Sequence, residues 1–341
     1  MPERTGLGPL ELAVLRAVEV QATAGARRQR TTTVLERLEV DEGIGPAYAL
    51  PVVRDLGTPW RVHLRLLDLG GNWGSVHGDP MADPRYTKVR LSRVGELALA
   101  SERGEVGSVP IGLVDGSLYR GGRVPPLGVS GVLRALGALL DGPGMPNRRL
   151  VRLLGTLELP GGGRVEGRLA GLYAGRRTRL RLVSRFERER GDTSARLVVT
   201  GVPLGATVDE VAHHLARRAS REAMPGRRDV RPPGPAPEMH PNAASDDKHH
   251  DPGQQPLPVR DIRDESSSRA GIRVVIAAPP DADLDVVEQW TRDVWPVTLD
   301  AGLRLPARLG DLLRRSAETC RRDRSGLDQL ADITRPTAAA P

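Results

Sequence analysis

Residues 10–38 read LELAVLRAVEVQATAGARRQRTTTVLERL, and the fold prediction starts from them. Leucine and valine recur at i, i+4, i+5 and i+8 at the start of this stretch, and that spacing predicts a helix over 10–20. A basic break, GARRQR at 25–30, follows. Residues 31–38 predict a second helix that begins in threonines. Two short helices joined by a basic turn are typical of a helix-turn-helix.

The segments that follow extend this pattern into strands. Residues 48–56 predict a third helix, with Pro51 near its first turn. Residues 61–67 and 85–91 alternate apolar and polar side chains, which predicts two strands, and the glycine-rich stretch 70–83 between them predicts a loop. Helices followed by strands in this order predict a winged helix-turn-helix.

The second half of the chain predicts a further mixture of strands and helices. Strands are predicted at 180–186, 195–200 and 271–276, and helices at 132–140, 208–218, 283–294 and 303–313. Thr207 is expected to cap the helix at 208–218. Residues 219–258 lose apolar periodicity and are rich in Pro, Gly, Asn, Asp and His, so we expect a disordered insert or a flexible loop there.

Composition excludes several classes of protein. The chain has 341 residues and a formal net charge of +7, and all but two of its 50 basic residues are arginine. A single cysteine, Cys320, cannot form a disulfide framework or a cysteine zinc site. The adjacent His249 and His250 lie in a stretch whose composition argues against the ordered scaffold that a metal site needs, so no metal site is expected.

Charge and hydropathy bound the partners of the chain. No stretch approaches the roughly 18 apolar residues of a membrane span, and the start lacks the pattern of a signal peptide, so we expect a cytosolic protein without membrane contact. The basic balance favours a polyanionic partner such as nucleic acid. A genomic preference for arginine codons would give the same excess of arginine.

Residues 71–91 read GNWGSVHGDPMADPRYTKVRL and carry the strongest chemical signal. A phenol with an ordinary pKa of about 10 is a poor nucleophile at neutral pH, so Tyr86 would need cationic neighbours to attack a phosphodiester. Arg85 could stabilise a pentavalent phosphate with its planar fork of donors. In an extended strand Arg85 and Tyr86 would point to opposite faces, whereas Lys88 and Arg90 would share the face of Tyr86. The alternative is that Tyr86 is an ordinary strand tyrosine.

The same region supplies candidate DNA contacts. The glycines at 70, 71 and 74 would allow the backbone to approach DNA closely. The full set of candidate DNA-binding residues is Arg54, Asn72, Gly74, Lys88 and Arg90. Tyr86 and Arg85 are the candidate catalytic residues.

Residues 71–91 resemble the active-site segment of the A subunits of type IIA DNA topoisomerases, which are DNA gyrase and topoisomerase IV. That family carries Gly-Asn-Phe-Gly-Ser, then Arg-Tyr-Thr and Arg-Leu at the same spacing, with Trp73 here in place of the Phe and Lys88 in place of a Glu. Further segments that are similar to family motifs follow in family order, at 6–15, 124–126, 159–162, 173–176, 197–203 and 261–276. An ordered series of this length is far more specific than a lone Arg-Tyr pair.

The resemblance implies an α+β chain with a winged-helix DNA-binding domain followed by a tower-like α/β domain. It implies a type II topoisomerase reaction, in which Tyr86 cleaves and rejoins double-stranded DNA through a 5′-phosphotyrosine link with Arg85 beside it. Two chains would cut the two strands, so a homodimer is implied. Mg²⁺ and ATP would come with a B-type partner subunit, and no cofactor is expected in this chain itself. The implied location is the cytoplasm, in association with the nucleoid.

Seven segments are expected on this basis. They are a winged-helix-like DNA-binding and cleavage domain at 1–95, a connecting segment at 96–150, the first part of a tower-like domain at 151–218, the disordered insert at 219–258, the second part of the tower-like domain at 259–298, the start of a helical arm at 299–334 and a tail at 335–341. The C-terminal pinwheel and most of the coiled-coil gate of the family are not expected in this chain.

Departures from the family pattern leave other functions open. Leu12 and Ala13 stand where the family has an Arg-Arg pair, and residues 41–46 replace its His-Pro-His-Gly-Asp signature with an acidic segment. The isoleucine segment that enters DNA in the family is not recognisable between 116 and 124. The alternative function is a non-catalytic DNA- or gyrase-binding regulatory relative, and a third is a basic scaffold that binds nucleic acid through arginine charge alone.

Overall fold

The computed structural model describes residues 4–115, 117–119, 122–191, 193–223, 259–266, 271–305 and 307–335, and over these residues the chain is α+β, as expected. The helices are α1 (Pro9–Gln21), α2 (Thr31–Glu42), α3 (Pro46–Asp55), α4 (Arg93–Arg103), α5 (Ile111–Val114), α6 (Val129–Asp141), α7 (Asn147–Leu154), α8 (Leu169–Tyr173), α9 (Val208–Ala223), α10 (Leu284–Arg292), α11 (Leu309–Arg322) and α12 (Ser325–Thr334). The strands are β1 (Gln29–Arg30), β2 (Leu67–Gly70), β3 (Lys88–Leu91), β4 (Ser117–Tyr119), β5 (Gly122–Val124), β6 (Arg164–Glu166), β7 (Thr178–Val183), β8 (Arg185–Arg190), β9 (Ala195–Gly201), β10 (Asp261–Asp264), β11 (Val274–Ala278) and β12 (Thr298–Leu303). Neighbouring strands pair antiparallel in the sheets β1-β3-β2, β4-β5, β12-β7-β6 and β10-β11-β9-β8.

Three helices and a three-stranded sheet form the N-terminal part of the molecule. α1 begins at Pro9, whose missing N–H costs nothing at the first position of a helix. α2 ends at Gly43, which adopts the left-handed conformation (φ 66°) that glycine tolerates best. These two helices confirm the first two predicted helices. The third helix begins at Pro46, so Pro51 lies in its interior and not near its first turn.

The strands predicted at 61–67 and 85–91 are wrong in their bounds, because β2 and β3 both begin later. The chain bends before β2, where the carboxylate of Asp115 accepts the backbone N–H groups of His63 and Leu64. Those donors are therefore not available to a strand ladder. Burial raises the pKa of Asp115 to about 6, since its charged form loses water there.

The strand predicted at 180–186 is two strands in different sheets. The chain leaves β7 and enters β8 at Ser184, whose N–H donates to the carbonyl oxygen of Val297 outside either ladder. β9 confirms the strand predicted at 195–200. The strand predicted at 271–276 is β11, which is shifted toward the C-terminus.

α9 begins as its cap predicts. The hydroxyl of Thr207 accepts the N–H of Glu210 at 3.2 Å, and the Thr207 N–H donates to the Glu210 carboxylate at 2.8 Å. The helix continues to Ala223, past its predicted end. The rest of the predicted insert, 224–258, and the tail from 336 onward lie outside the described residues.

Buried side chains form two hydrophobic cores. The first receives side chains from the elements between α1 and α8 and from α11 and α12. The second lies between the sheet β10-β11-β9-β8 and the helices α9 and α10. Cys320 is fully buried in the first core, and burial raises the pKa of its thiol to about 11, so the thiolate that reacts is suppressed. Within the described ranges, no helix combines the length and apolar character needed to cross a bilayer.

The C-terminal helices pack against the first core, whereas the start of a helical arm is expected at 299–334. β12 occupies the beginning of this segment, so the helix predicted at 303–313 begins only at Leu309. α11 packs against α6 and α7, and α12 packs against α4 and α6. The contact is tight, since a Cβ at Gly326 would lie 2.2 Å from the carbonyl oxygen of Gly107. Each helix has one apolar face, and packing on the core removes that face from water.

Candidate functional site

Tyr86 is displayed on a tight turn and not on a strand. Pro84, Arg85 and Tyr86 form one turn of 3₁₀ helix that ends just before β3. The side chain of Asp83 accepts the N–H of Arg85 at 3.0 Å, and its carbonyl oxygen accepts the N–H of Tyr86 at 2.9 Å. Pro84 suits the first position of the turn because it has no N–H to satisfy. The predicted strand therefore starts only at Lys88.

The turn brings Arg85 and Tyr86 together, whereas an extended strand would separate them. The guanidinium carbon of Arg85 lies 5.7 Å from the centroid of the Tyr86 ring. Tyr86 is 69% exposed and the Arg85 side chain is 66% exposed. A phenol and a guanidinium are thus presented to solvent at one point, where a phosphodiester could contact both.

Arg85 already has a carboxylate partner within the turn. Its Nε and Nη2 donate to the two carboxylate oxygens of Asp83 at 3.0 and 3.1 Å. This side-chain hydrogen bonding holds the pKa of Asp83 below its ordinary value and raises the pKa of Arg85. The Nη1 edge of the guanidinium makes no hydrogen bond to any residue that the structure describes. Arg85 therefore keeps one edge for a further acceptor.

The turn is fixed to its surroundings on two sides. The buried Thr87 pairs its hydroxyl with that of Thr31 at 2.7 Å, and the Thr31 N–H donates to the Thr87 carbonyl at 3.1 Å. On the other side Gly71 has φ 87°, and a Cβ there would lie 2.8 Å from the carbonyl oxygen of Tyr86. The exposed tyrosine thus stands on a backbone that is held at the start of α2 and at the end of β2.

Lys88 and Arg90 share one face of the N-terminal sheet, as their spacing predicts. Antiparallel pairing places Arg30 opposite Lys88. It also places Asp68 opposite Arg90. Asp68 accepts from Arg28 at 2.8 Å and from Arg90 at 2.6 Å. Arg90 is therefore engaged within the chain, while Lys88 is exposed.

Replacing Asp68 with asparagine is expected to destabilise the protein by about 1–2 kcal/mol at pH 7, because Arg28 and Arg90 lose their shared carboxylate. Burial raises the pKa of Asp68, but hydrogen bonds from the two arginines outweigh it and leave the pKa below its ordinary value. The stabilisation is therefore present above the unfolded-state pKa and is lost as the pH falls through the folded-state pKa. The midpoint of urea unfolding measures the effect. The difference in midpoint between the wild type and Asp68→Asn should be smaller at about pH 3 than at pH 7.

Asp41→Asn is the matched control, because it removes the exposed pair between Asp41 and Arg37, whose atoms are 3.0 Å apart on α2. Its effect should stay below about 0.5 kcal/mol. Two results would contradict the assignment of this stabilisation to the shared carboxylate. One is an equal loss of unfolding free energy in the two variants, and the other is a midpoint difference for Asp68→Asn that does not change with pH.

Asn72 and Gly74 stabilise their own loop at 71–83. The side-chain oxygen of Asn72 accepts the N–H of Gly74 at 2.8 Å. Gly74 has φ 82°, and a Cβ there would lie 2.8 Å from the carbonyl oxygen of Asp79. The close approach expected at this glycine is thus an approach of the chain to itself. Trp73, between them, is buried and donates its indole N–H to Gly70 at 3.0 Å.

The loop at 71–83 links the two cores. The carbonyl oxygen of Val76 accepts the N–H of Val208 at 2.9 Å, and that of His77 accepts the N–H of Asp209 at 3.0 Å. These contacts satisfy two free donors at the N-terminus of α9. A cavity of about 240 Å³ lies at this junction. Its lining includes Arg54, Trp60, Trp73, Gly74, Met81 and Pro203.

The exposed face of α3 is not basic. Arg54 lines the cavity and donates to Asp55 at 3.3 Å. Around the junction of α2 and α3, Val40 is 83% and Tyr48 is 75% exposed. The exposed acidic side chains there are Glu36, Glu39, Asp41 and Glu42. We call residues 36–51 the α2–α3 corner, and its carboxylates would repel a phosphate backbone.

The sheet β12-β7-β6 carries a basic surface that the sequence analysis does not single out. Arg179 and Arg181 alternate along the exposed side of β7. Eight exposed arginines lie on this sheet and in the segments next to its strands, and Glu166 and Asp300 lie opposite Arg181 in the register. We call these arginines the arginine surface: Arg164, Arg168, Arg176, Arg177, Arg179, Arg181, Arg304 and Arg308. None of them makes a salt bridge within the described ranges. The alternating TRLRLV at 178–183 is the available sequence signal, but codon preference explains scattered arginines equally well.

The chain is similar in sequence to the DNA gyrase A subunits of several bacteria. It is 27% identical over 260 residues to the protein of Kosmotoga olearia and 26% identical over 256 residues to that of Thermotoga maritima. Each of these matches covers 68% of this chain and 28% of the relative. The protein of Streptococcus pyogenes is 28% identical over 193 residues, which cover 49% of this chain and 23% of the relative. No family model matches the chain.

The fold and the exposed Arg-Tyr turn are those of an α+β protein with a candidate tyrosine nucleophile. The comparisons confirm the resemblance stated from the sequence: this is a divergent protein similar to DNA gyrase A subunits. The matched region corresponds to less than a third of the length of these relatives.

Proposed function

We propose that this chain is a type II topoisomerase A-subunit-like protein that binds double-stranded DNA and cleaves and rejoins it through Tyr86. The observation that carries the proposal is the turn at 84–86, which exposes a tyrosine beside a guanidinium that retains a free edge. Sequence similarity of the chain to gyrase A subunits supports it. In the proposed reaction the Tyr86 phenol gives up its proton as its oxygen attacks phosphorus, the bond from phosphorus to the 3′ oxygen breaks, and the 3′ oxygen takes up one proton, so the step is balanced. Rejoining is the reverse attack by the 3′ hydroxyl.

The free edge of Arg85 is proposed to bind the scissile phosphate. A guanidinium binds phosphate oxygens through two parallel N–H groups, and it keeps its charge at any working pH. Five-coordinate phosphorus carries more charge on its oxygens than the starting diester, so a fixed cation stabilises it preferentially. Arg85 therefore acts on the charge that develops, while Tyr86 supplies the attacking oxygen.

Mg²⁺ and ATP are proposed to arrive with a B-type partner subunit. Two carboxylates of residues 71–91 are already engaged, since Asp83 pairs with Arg85 and Asp79 accepts from the Ser75 hydroxyl at 2.6 Å. Among the described residues no group of three or more His, Cys, Asp or Glu side chains could hold a metal ion. The described donors around the turn do not suit a dedicated magnesium site, which supports the proposal that the partner would hold the ion.

The N-terminal part is proposed to be a winged helix and the second core a tower-like domain. The order helix, short strand, helix, helix and two strands, with sheet order β1-β3-β2, supports the first assignment. The arginine surface is proposed to carry much of the contact with the DNA backbone, because eight exposed arginines lie there without salt bridges in the described ranges. Two chains are proposed to act as a homodimer. The proposed location is the cytoplasm, in association with the nucleoid.

The test is a cleavage assay with the full chain. The protein is incubated with supercoiled DNA, Mg²⁺, ATP and purified gyrase B protein, and the mixture is denatured with detergent. The expected result is DNA breaks in which the protein is covalently attached to the 5′ end at the cut, and the other end of each cut strand carries a free 3′ hydroxyl. Absence of linked DNA under every condition, with DNA binding intact, would remove the cleavage part of the proposal and leave the binding part.

DNA affinity should depend steeply on salt through the arginine surface. The double variant Arg179→Gln, Arg181→Gln is expected to weaken binding and to lower the slope of log affinity against log salt by about 2, because each lost phosphate contact removes about 0.9. Fluorescence anisotropy with a labelled duplex at several salt concentrations measures both quantities.

Arg188→Gln is the matched control, because Arg188 is also exposed on a strand but is paired with Asp285 and Glu288 at 2.5 and 2.7 Å. It should leave the slope nearly unchanged. The control removes one charge and the double variant removes two. A slope that falls about half as much in the control as in the double variant would therefore show that binding depends on total charge and not on this surface.

A non-catalytic regulatory relative is the second candidate, and the α2–α3 corner favours it. The prediction from residues 10–38 makes α1 and α2 the helix-turn-helix, whereas the winged helix proposed from the element order pairs α2 with α3. In that arrangement α3 is the second helix, which normally enters DNA. Here α3 exposes Tyr48 and Pro51, and the end of α2 is acidic. Such a surface suits a protein partner better than a phosphate backbone. DNA binding or gyrase B binding without linked breaks would favour this candidate.

A further inference from the structure

We propose that Asp83 is a positioning residue that aims the free edge of Arg85 at the phosphate attacked by Tyr86. The inference rests on the proposed function, in which Arg85 contacts that phosphate. Asp83 makes two kinds of contact with the same residue: its carboxylate caps the backbone N–H of Arg85, and it binds the guanidinium through both oxygens. One side chain therefore fixes both ends of Arg85.

The geometry of the fork decides which edge is left for a ligand. Asp83 takes the Nε and Nη2 side of the guanidinium at 3.0 and 3.1 Å. The end of the fork, formed by Nη1 and the second N–H of Nη2, still presents two nearly parallel donors. A phosphate can bind there without displacing the carboxylate. Arg85 alone would sample many rotamers at the surface, and a bidentate partner two residues away removes most of that freedom.

Stability does not account for the pair. The Asp83 side chain is 46% exposed and that of Arg85 is 66% exposed. An ion pair so open to water contributes little to folding. The backbone of the turn is also held by other contacts, through Thr31 and Thr87 on one side and through the close fit of Gly71 on the other. The consequence of the pair is therefore the direction of the guanidinium, which lies 5.7 Å from the Tyr86 ring.

A double-mutant cycle tests whether Asp83 acts through Arg85. Asp83→Asn keeps a side-chain oxygen that can cap the turn but loses the charge and the second acceptor. Arg85→Lys keeps a positive charge but has no planar fork to be oriented. We expect Asp83→Asn to slow formation of the protein–DNA link about tenfold in the wild-type background and less than twofold in the Arg85→Lys background.

Two results would overturn the positioning role. If Asp83→Asn slows link formation by the same factor in both backgrounds, Asp83 acts on the backbone of the turn or on the local electrostatic potential and not through Arg85. Faster linking by Asp83→Asn would mean that the carboxylate competes with the phosphate for Arg85. Circular dichroism and thermal melting of each variant show whether the fold is intact, and Asp41→Asn serves as a control for loss of one exposed carboxylate outside the turn.

The same cycle is measured in DNA affinity, with a labelled duplex at low salt, so that the inference can be separated from the cleavage proposal. If the wild type forms no link, the cleavage proposal fails. In that case the positioning role is tested by DNA affinity. Asp83→Asn is expected to raise the dissociation constant about threefold in the wild-type background and to have no effect in the Arg85→Lys background. If the changes in binding free energy of the two substitutions simply add in the double variant, Asp83 does not act through Arg85 and the inference fails. It fails also if Arg85→Lys leaves the dissociation constant unchanged.

Discussion

Replacing Tyr86 with phenylalanine is expected to abolish the covalent protein–DNA link entirely. Phenylalanine keeps the ring and its position on the turn but has no oxygen to attack phosphorus. The backbone at this position is held by Asp83, Thr87 and Gly71 and not by the phenol, so the variant should fold as the wild type does. Detergent denaturation followed by electrophoresis of labelled DNA measures the link, and DNA affinity should remain within about threefold of the wild type.

Tyr48→Phe is the control for loss of an exposed phenol, because Tyr48 is 75% exposed on α3 but has no guanidinium beside it in the described structure. Its linking rate should equal that of the wild type. Linking that persists in Tyr86→Phe would assign the nucleophile to another residue. Linking that disappears in both variants would indicate a general effect of the substitutions.

Replacing Gly326 with alanine is expected to destabilise the protein by about 2–3 kcal/mol, even though alanine is the better helix former. The new Cβ would lie 2.2 Å from the carbonyl oxygen of Gly107 and 3.1 Å from that of Ser108. Both obstacles are backbone atoms, so the N-terminus of α12 must move away from the first core. Ser325 also accepts the N–H of Gly107 at 3.1 Å, and that contact would be strained. The midpoint of urea unfolding measures the loss.

Gly137→Ala in α6 is the matched control, because no atom lies within 4 Å of a Cβ at that helical position. This variant should stabilise the protein by about 0.5–1 kcal/mol, through helix propensity alone. Opposite signs for the same substitution in two helices would confirm that α12 packs on the first core. A stabilising effect of Gly326→Ala would mean that the helix is free, as an extended arm would be.

The sequence predicts the elements of the N-terminal part well because their signals are local. Helical spacing of apolar residues, Pro at a helix start and Gly at a helix end act within one or two turns. The Arg-Tyr signature at 85–86 is also local, and it led directly to the exposed pair. The strand predicted through this pair is wrong, since Asp83 and Pro84 close a 3₁₀ turn whose carboxylate cap competes with extension. Whether the turn or the strand forms depends on the hydrogen bond from the Arg85 N–H to the Asp83 carboxylate, and the alternation of apolar and polar residues does not show that bond.

Other features depend on contacts between residues far apart in the chain. Asp115 bends the segment before β2, and Asp68 unites Arg28 with Arg90. Six arginines of the arginine surface lie within residues 164–181, whereas Arg304 and Arg308 come from the segment after β12, which the pairing of β12 with β7 brings to the same sheet. The spacing of residues within one segment carries no information on which other segment pairs with it, so the sequence does not indicate that these arginines belong to one sheet.

The residue pattern alone predicts the α+β class, the positions of most helices, and the resemblance to gyrase A subunits carried by Arg85, Tyr86 and the segments around them. The folded chain was needed to show that Arg85 lies beside Tyr86, that Asp83 holds it, and that α11 and α12 pack on the first core. The difference lies in the range of the interactions. Propensities and caps act between near neighbours, whereas the direction of a guanidinium and the packing of a helix depend on groups that only the folded chain brings into contact.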